Sequence, residues 1–433
     1  MVPTMKTRQT WIILAALALV PGAKASAQAA APPSANHDAV AAERVQADIN
    51  YLAADARDGR GINTPGLDSS AAYLARAFAA AGLEPGGTDG YFQPFMIDSS
   101  APGVMHTSMR GAHVKNVVGV LPGVGPLAGQ VIVIGAHYDH LGYDEPGMTD
   151  PQNKGVVHNG ADDNASGTAG VVELARELAA RAPANRRTIV FVAFTAEEVG
   201  AIGSQYYVSH PTVPADSIVA MLNMDMVGRL RNDRLIIYGV KTAPQFEPLL
   251  DSLNAIYRFD LHPTGDGWGP SDQASFYAAG VPVLFFFTDL HDDYHAATDD
   301  ADKINAPGEA KVLDLVHDVA WNLAMRPDRP TYVSFPPPKP PKMGNGAWLG
   351  SVPDMTESPG GVLLSGVQDG SPAATAGIQR GDLIVQIGDV TIANLYDMAN
   401  ALADHKPGDV VTIAVMRNGA RKEFTVTLGR RGG

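Results

Sequence analysis

The chain has 433 residues, of which 45% are hydrophobic and 18% charged, with a formal net charge of −14 and no cysteine. This length exceeds one ordinary core and predicts two domains plus a processed end. Lack of cysteine excludes disulfides, thiolate metal sites, a cysteine nucleophile and a lipid-modified N-terminal cysteine, and the acidic balance repels nucleic acid and anionic lipid.

Residues 1–27 read as a secretory leader: Lys6 and Arg8, an apolar run from Trp11 to Val20, then Ala25-Ser26-Ala27. That run is too short to span a bilayer and no later segment is apolar for long enough, so the mature chain is expected outside the cytoplasm, secreted or periplasmic, with no membrane span. Residues 28–325 alternate helical periods with apolar β-rich runs. "AVAAERVQADINYLAA" and "DSSAAYLARAFAAAGL" read as amphipathic helices covering one face of a sheet, and "ASGTAGVVELARELAARA" and "FEPLLDSLNAIY" as further helices. "QVIVIGAH", "RTIVFVAFTAEE", "DSIVAMLNMD" and "VPVLFFFTD" read as buried strands. The alternation predicts an α/β fold with a mostly parallel central sheet flanked by helices. Residues 326–343 are proline-rich and read as a semi-rigid spacer, after which residues 344–430 form a second, β-rich domain.

Acids and histidines close each of the four strand-like runs: His137 and Asp139, Glu197 and Glu198, Asp225, and His295. Ligands collect outside the carboxyl ends of strands in open α/β sheets, so these groups are expected to converge. A fifth stretch, "NGADDNASG" (159–167), sets Asp162 beside Asp163 before a helix. Capping of that helix is the plain explanation for one such stretch. Added to the other four, it supplies one more carboxylate to a set of oxygen and nitrogen donors suited to zinc, with manganese and cobalt as lesser fits. Two Zn²⁺ would balance Asp162, Glu198, Asp225 and a bridging hydroxide, whereas one ion would leave crowded carboxylates uncompensated.

"GAHYD", "GADDNASG", "TAEE", "NMDM" and "YHAATD", in this order, resemble the zinc aminopeptidase family that includes bacterial leucyl aminopeptidases and glutamate carboxypeptidases. The resemblance runs from about residue 40 to 325. It implies that His137 and Asp225 hold one zinc, Glu198 and His295 the other, and Asp162 bridges them through a cis Asp162–Asp163 peptide. Glu197 is then the general base, Asp139 fixes the tautomer of His137, and the substrate is a peptide with a free N-terminus. Gln273 stands where the family often has histidine, and His291, near His295, is read as a surface or supporting residue. Tyr138 and Trp268 are read as packing aromatics rather than recognition elements.

In the second domain, "SPAATAGIQRGDLIVQIGD", the helical "NLYDMANALADH" and the hairpin "VVTIAVMRNGARKEFTVTL" resemble a PDZ domain of the bacterial protease-associated type. The resemblance implies binding of a C-terminal peptide as an added strand, with Trp348, Leu349 and Gly350 opening the carboxylate-binding loop. The leading reading is thus a zinc-dependent aminopeptidase with an accessory peptide-binding domain. Its rivals are a glutaminyl-peptide cyclotransferase, a carboxypeptidase short of basic residues beyond Lys154, Arg229 and Arg231, and a non-catalytic peptide-binding scaffold.

Overall fold

The computed structural model describes residues 35–98, 109–143, 148–150, 153, 155–181, 183–338, 346–356, 358 and 360–430. The expected leader, residues 339–343 of the proline-rich stretch, residues 344–345 at the start of the second domain, and Lys154 lie outside the described residues.

Two helices open the fold, α1 (Ala35–Leu52) and α2 (Pro65–Ala80), the latter capped by Thr64 with Pro65 in its first turn. The strands β1 (Glu84–Pro85), β2 (Phe92–Met96), β3 (His113–Leu121) and β4 (Val131–His137) follow, then α3 (Gly167–Ala179), β5 (Thr188–Phe194), α4 (Ile202–Ser209), β6 (Ile218–Met224) and β7 (Arg234–Tyr238). The first sheet ends with α5 (Phe246–Tyr257), β8 (Asp260–Pro263), α6 (Gln273–Ala278), β9 (Val283–Phe287) and α7 (Ala306–Met325). Its nine strands run β1-β3-β5-β4-β6-β9-β7-β8, with β2 beside β3. At the centre β5, β4, β6 and β9 are parallel, whereas β3 joins β5 and β7 joins β9 in antiparallel fashion. The sheet is therefore mixed: parallel where the four apolar runs lie, with an antiparallel junction on each side of them, while the outer pair β7–β8 is itself parallel.

Those four runs are continuous in apolar residues because both faces of the sheet are covered. On one face Ile132, Ile134, Phe191 and Leu222 pack with Val45 of α1, Leu74 of α2, Val171 of α3 and Val316 of α7. On the other, Val131, Val133, Val190 and Met221 meet Tyr207 of α4 and Phe276 and Tyr277 of α6. Each such fully buried side chain contributes about 1.5–3 kcal/mol. The proline-rich stretch forms no helix or strand through residue 338, as its composition dictates. It is nonetheless docked: Arg187 donates to the carbonyls of Leu323, Arg326 and Asp328, and Tyr332 and Phe335 join the second face.

The second sheet contains β11 (Ser351–Pro353), β12 (Val362–Val367), β13 (Leu383–Ile387), β14 (Val390–Thr391), β15 (Val410–Arg417) and β16 (Ala420–Thr427), while β10 (Ala347–Trp348) pairs with β17 (Gly429–Arg430). Two helices accompany it, α8 (Pro372–Ala376) and α9 (Leu395–Ala403). All ladders are antiparallel, and the β15–β16 turn carries positive φ at both Asn418 and Gly419, the requirement of a tight hairpin. Leu349, Ile384, Ile413 and Met398 share its core.

Candidate metal centre

The carboxyl ends of β4, β5, β6 and β9 deliver His137, Glu197 and Glu198, Asp225, and His295 to one spot, as parallel strands in register must. The turns that carry them are strained: Ala196, Met226 and His295 have φ of 58°, 52° and 57°, values that non-glycine residues adopt only when their surroundings enforce them.

At the centre stands Asp163. Its Oδ1 lies 3.4 Å from His137 Nε2 and its Oδ2 3.1 Å from His295 Nε2. His137 Nε2 is also 3.3 Å from Asp225 Oδ2, and His295 Nε2 is 3.1 Å from Glu198 Oε2. Two donor groups thus share one carboxylate, His137 and Asp225 on one side, Glu198 with His295 and His140 on the other.

Asp162, expected in this position, is turned away. Its Oδ1 accepts from the Gly228 N–H (2.7 Å) and the Ser166 hydroxyl (3.0 Å), and its Oδ2 lies 3.1 Å from His291 Nε2. The cis peptide is likewise one bond further along, at Asp163–Asn164. The local cause is the anchoring of the turn. Asp299 Oδ2 accepts both the Asp162 and Asp163 N–H groups, and Asn164 Oδ1 accepts from Gly167 and Met226. Neither aspartate caps α3; Asn164 serves its first N–H. Gly160 is required here, since a Cβ would lie 2.2 Å from the Asp163 carbonyl oxygen and 2.4 Å from the His140 ring.

Asp139 supports the site from below. Its carboxylate accepts the N–H of Glu197 (3.2 Å) and of Glu198 (3.4 Å), while its backbone carbonyl, rather than its side chain, is nearest His137 Nδ1 at 3.1 Å against 3.7 Å. Two residues without a signal of their own complete the surroundings. His140 Nδ1 lies 2.7 Å from Glu198 Oε1, and its position three residues after His137 was the only available hint. Buried Arg60 donates to the carbonyls of Leu52, Tyr138, Asn159 and Gly160, pinning the β4 and Asp163 loops together; burial lowers it to about 10 despite Asp163 and Asp139 nearby.

Electrostatics reflect this crowding. Burial alone would lower His137, yet Asp225 and Glu197 hold it well above the usual imidazole range. His295 is raised similarly against burial by Glu198 and Asp163. Burial raises Glu197 well above the ordinary carboxylate range; His137 opposes this and Asp225 and Asp272 reinforce it. Four acids at such distances require positive charge between them, and the donor set of imidazoles and carboxylates suits zinc. Asp225 Oδ1 is buried without a hydrogen-bond partner, as an unused ligand atom would be. The residues therefore fit the metal.

Glu197 borders two cavities. One, of about 110 Å³, contains Asp163, Glu198, Asp225 and His295 and is walled by Phe285, Phe287 and Leu290. The other is an open groove of about 730 Å³ lined by small residues such as Gly200, Ala201, Ser271 and Ala274. The remaining residues noted in the sequence lie elsewhere. Gln273 is buried and accepts from Asn223, Tyr138 donates to the Lys115 carbonyl, and Trp268 packs on Tyr277. Arg229 pairs with Asp293 and Asp299, and Arg231 donates to the carbonyls of residues 288–290.

Residues 116–320 match peptidase family M28 and residues 348–428 match the PDZ domain. The chain is 28% identical over 328 residues to leupeptin-inactivating enzyme 1 of Streptomyces exfoliatus, covering 68% of each protein. Its fold is similar to that of a zinc aminopeptidase from Bacillus subtilis, with a TM-score of 0.53 and 17% identity over 65% of this chain and 95% of that one. It is also similar to a Bacteroides thetaiotaomicron glutaminyl cyclase, with a TM-score of 0.51 and 20% identity over 66% and 97%. Through residues 116–320 the chain thus resembles peptidase family M28, and through residues 348–428 the PDZ domain.

Proposed function

We propose that this protein is an aminopeptidase that removes N-terminal residues from peptides. The observation that carries the reading is Asp163, whose two oxygens face separate imidazoles, so that one carboxylate serves two cation positions. In this reading His137 and Asp225 would hold one zinc ion and Glu198 and His295 a second, with Asp163 serving both; Asp162 has no part in it. His295 is preferred over His140 because it is 3.1 Å from both Asp163 and Glu198, whereas His140 is 3.9 Å from Asp163 and orients Glu198. Zinc when bound supplies Lewis acidity, lowering the pKa of water and polarising a carbonyl.

Glu197 takes the proton of the attacking water and returns it to the departing amine. Asp139, by holding the Glu197 and Glu198 N–H groups, positions that base and fixes the His137 loop. The buried acids attract a substrate ammonium group. The nearby guanidinium groups of Arg60, Arg229 and Arg231 are engaged with carbonyls and carboxylates, which argues against gripping a C-terminal carboxylate. The small cavity and the open groove on either side of Glu197 suit one terminal residue and the remainder of a peptide.

The organisation that goes with this function is a leader over residues 1–27, a peptidase unit over 28–325, a linker over 326–343 and a PDZ unit over 344–430 that takes a C-terminal peptide. The leader supports action in the periplasm or outside the cell, and no helix among the described residues is long and apolar enough to cross a membrane. Cyclisation of N-terminal glutamine is the second reading, favoured by the shared fold alone.

The test is incubation of zinc-loaded protein with aminoacyl amides, N-acetylated peptides and glutaminyl peptides, before and after chelation. Free amino acids should appear only from substrates with an open N-terminus and only with metal. Pyroglutamyl product without hydrolysis would establish the cyclase, and absence of both turnover and zinc would establish a scaffold.

A further inference from the structure

One wall of the 110 Å³ cavity does not come from the peptidase fold. Beside Phe285, Phe287 and Leu290 stands Met355, which follows the edge strand β11 of the PDZ domain by two residues. It packs with the cluster of Met226, Tyr238, Phe285 and Phe287. Its placement is built rather than incidental. The Met355 carbonyl accepts from the Tyr238 hydroxyl at 2.5 Å. Asp354, the preceding residue, receives Arg234 Nη2 on both oxygens at 3.0 and 3.1 Å, and Arg234 Nε lies 3.2 Å from Asp289 Oδ2. The same Asp354 carboxylate accepts from the Thr356 N–H and hydroxyl, closing the turn behind Met355. The Asp354 N–H in turn donates to the Leu363 carbonyl, so the turn is continuous with the β11–β12 ladder.

We propose that Met355 is a specificity-determining residue: the PDZ domain completes the pocket that receives the side chain of the substrate's N-terminal residue. The inference rests on the aminopeptidase reading and adds its substrate class. Apart from the acids and His295 at the metal centre, this wall offers aromatic rings, aliphatic groups and a thioether, which select an unbranched or γ-branched apolar residue such as leucine or methionine. A flexible thioether adapts to side chains of slightly different shape. A glycyl substrate, having no side chain, does not reach it and serves as the reference.

The experiment measures kcat/KM for leucyl and glycyl 4-nitroanilides in full-length zinc-loaded protein and in Met355→Ala, Met355→Glu and Arg234→Ala, with zinc content and melting temperature checked for each. The leucyl-to-glycyl ratio should fall about 10-fold in Met355→Ala, chiefly through KM, because lost apolar contact is binding common to ground and transition states. It should fall further in Met355→Glu and by about 3-fold in Arg234→Ala, where the turn is merely loosened. A ratio within twofold of the unaltered protein in both Met355 variants overturns the proposal. Calorimetric titration with L-leucine and glycine separates this from the activity itself. Met355-dependent leucine binding in a protein that hydrolyses no anilide would sink the aminopeptidase reading and leave the pocket standing, whereas equal affinity for leucine and glycine would overturn the pocket.

Discussion

The two sheets of this protein bury their strands in opposite ways. Along β4, β6 and β9 every residue is buried, whereas β15 alternates at its start and β16 is mostly exposed. A sheet covered on both faces has only its strand ends to offer, and charges placed there sit in low dielectric, where carboxylates and imidazoles perturb one another strongly. A sheet covered on one face keeps a usable edge, here β11, at which a further strand can pair. In the proposed reading chemistry concentrates in the first and recognition in the second, and the turn at Asp354 and Met355 is where the two meet.

The largest test of that contrast is at the buried end. Glu197→Gln should lower turnover by roughly 10³-fold, within the range of general-base contributions, while zinc content by elemental analysis stays near that of the unaltered protein. Undiminished turnover with metal bound would remove Glu197 from its assigned role.

The next effect discriminates neighbouring acids. Asp163→Asn should weaken zinc binding on the order of 100-fold or more, since the proposed reading makes Asp163 a shared ligand rather than a supporting group. Asp162→Asn should keep zinc and instead unfold a few degrees earlier, because its carboxylate contacts the Gly228 N–H, Ser166 and His291. Metal titration and thermal melts of the pair measure this, and the reverse outcome would return the bridging role to Asp162.

The smallest effect is in pH dependence, where the two regions should respond with opposite sign. Burial, with Glu173 and Asp314 nearby, raises Glu177 of α3 to about 8. The folded state then binds this proton more tightly than the unfolded chain, so its contribution falls as pH rises from the ordinary carboxylate range toward about 8. In the PDZ domain Asp382 is lowered: burial opposes, but hydrogen bonds from Arg417 at 2.6 Å prevail. Its contribution is present above the unfolded value and is lost as pH falls through the folded one. Glu177→Gln should flatten the alkaline side of a melting-temperature profile, and Arg417→Ala the acid side, at a cost of about 2 kcal/mol to the PDZ domain.

How much was legible in the sequence follows from what each signal depends on. The strands β4, β5, β6 and β9 and the helices α3 and α5 were readable because covered strands and amphipathic helices impose local patterns. The long helix α7 was not singled out, being buried along much of its circumference, with Val312, Leu315, Val316 and Val319 all inaccessible. Nor were β3 and β7, which reach the sheet through antiparallel pairing at its sides.

From the amino-acid sequence alone come the donor types, their order, and their placement at strand ends, since these are properties of residue identity and periodicity. Only the tertiary structure decides that Asp163 and not Asp162 faces the imidazoles, because adjacency along a chain leaves side-chain direction open until the turn is held by Asp299 and Asn164. The same holds for Arg60, His140 and Met355. Their roles arise from burial and from contacts across long sequence separations, and no local pattern encodes a contact that exists only once the chain has folded.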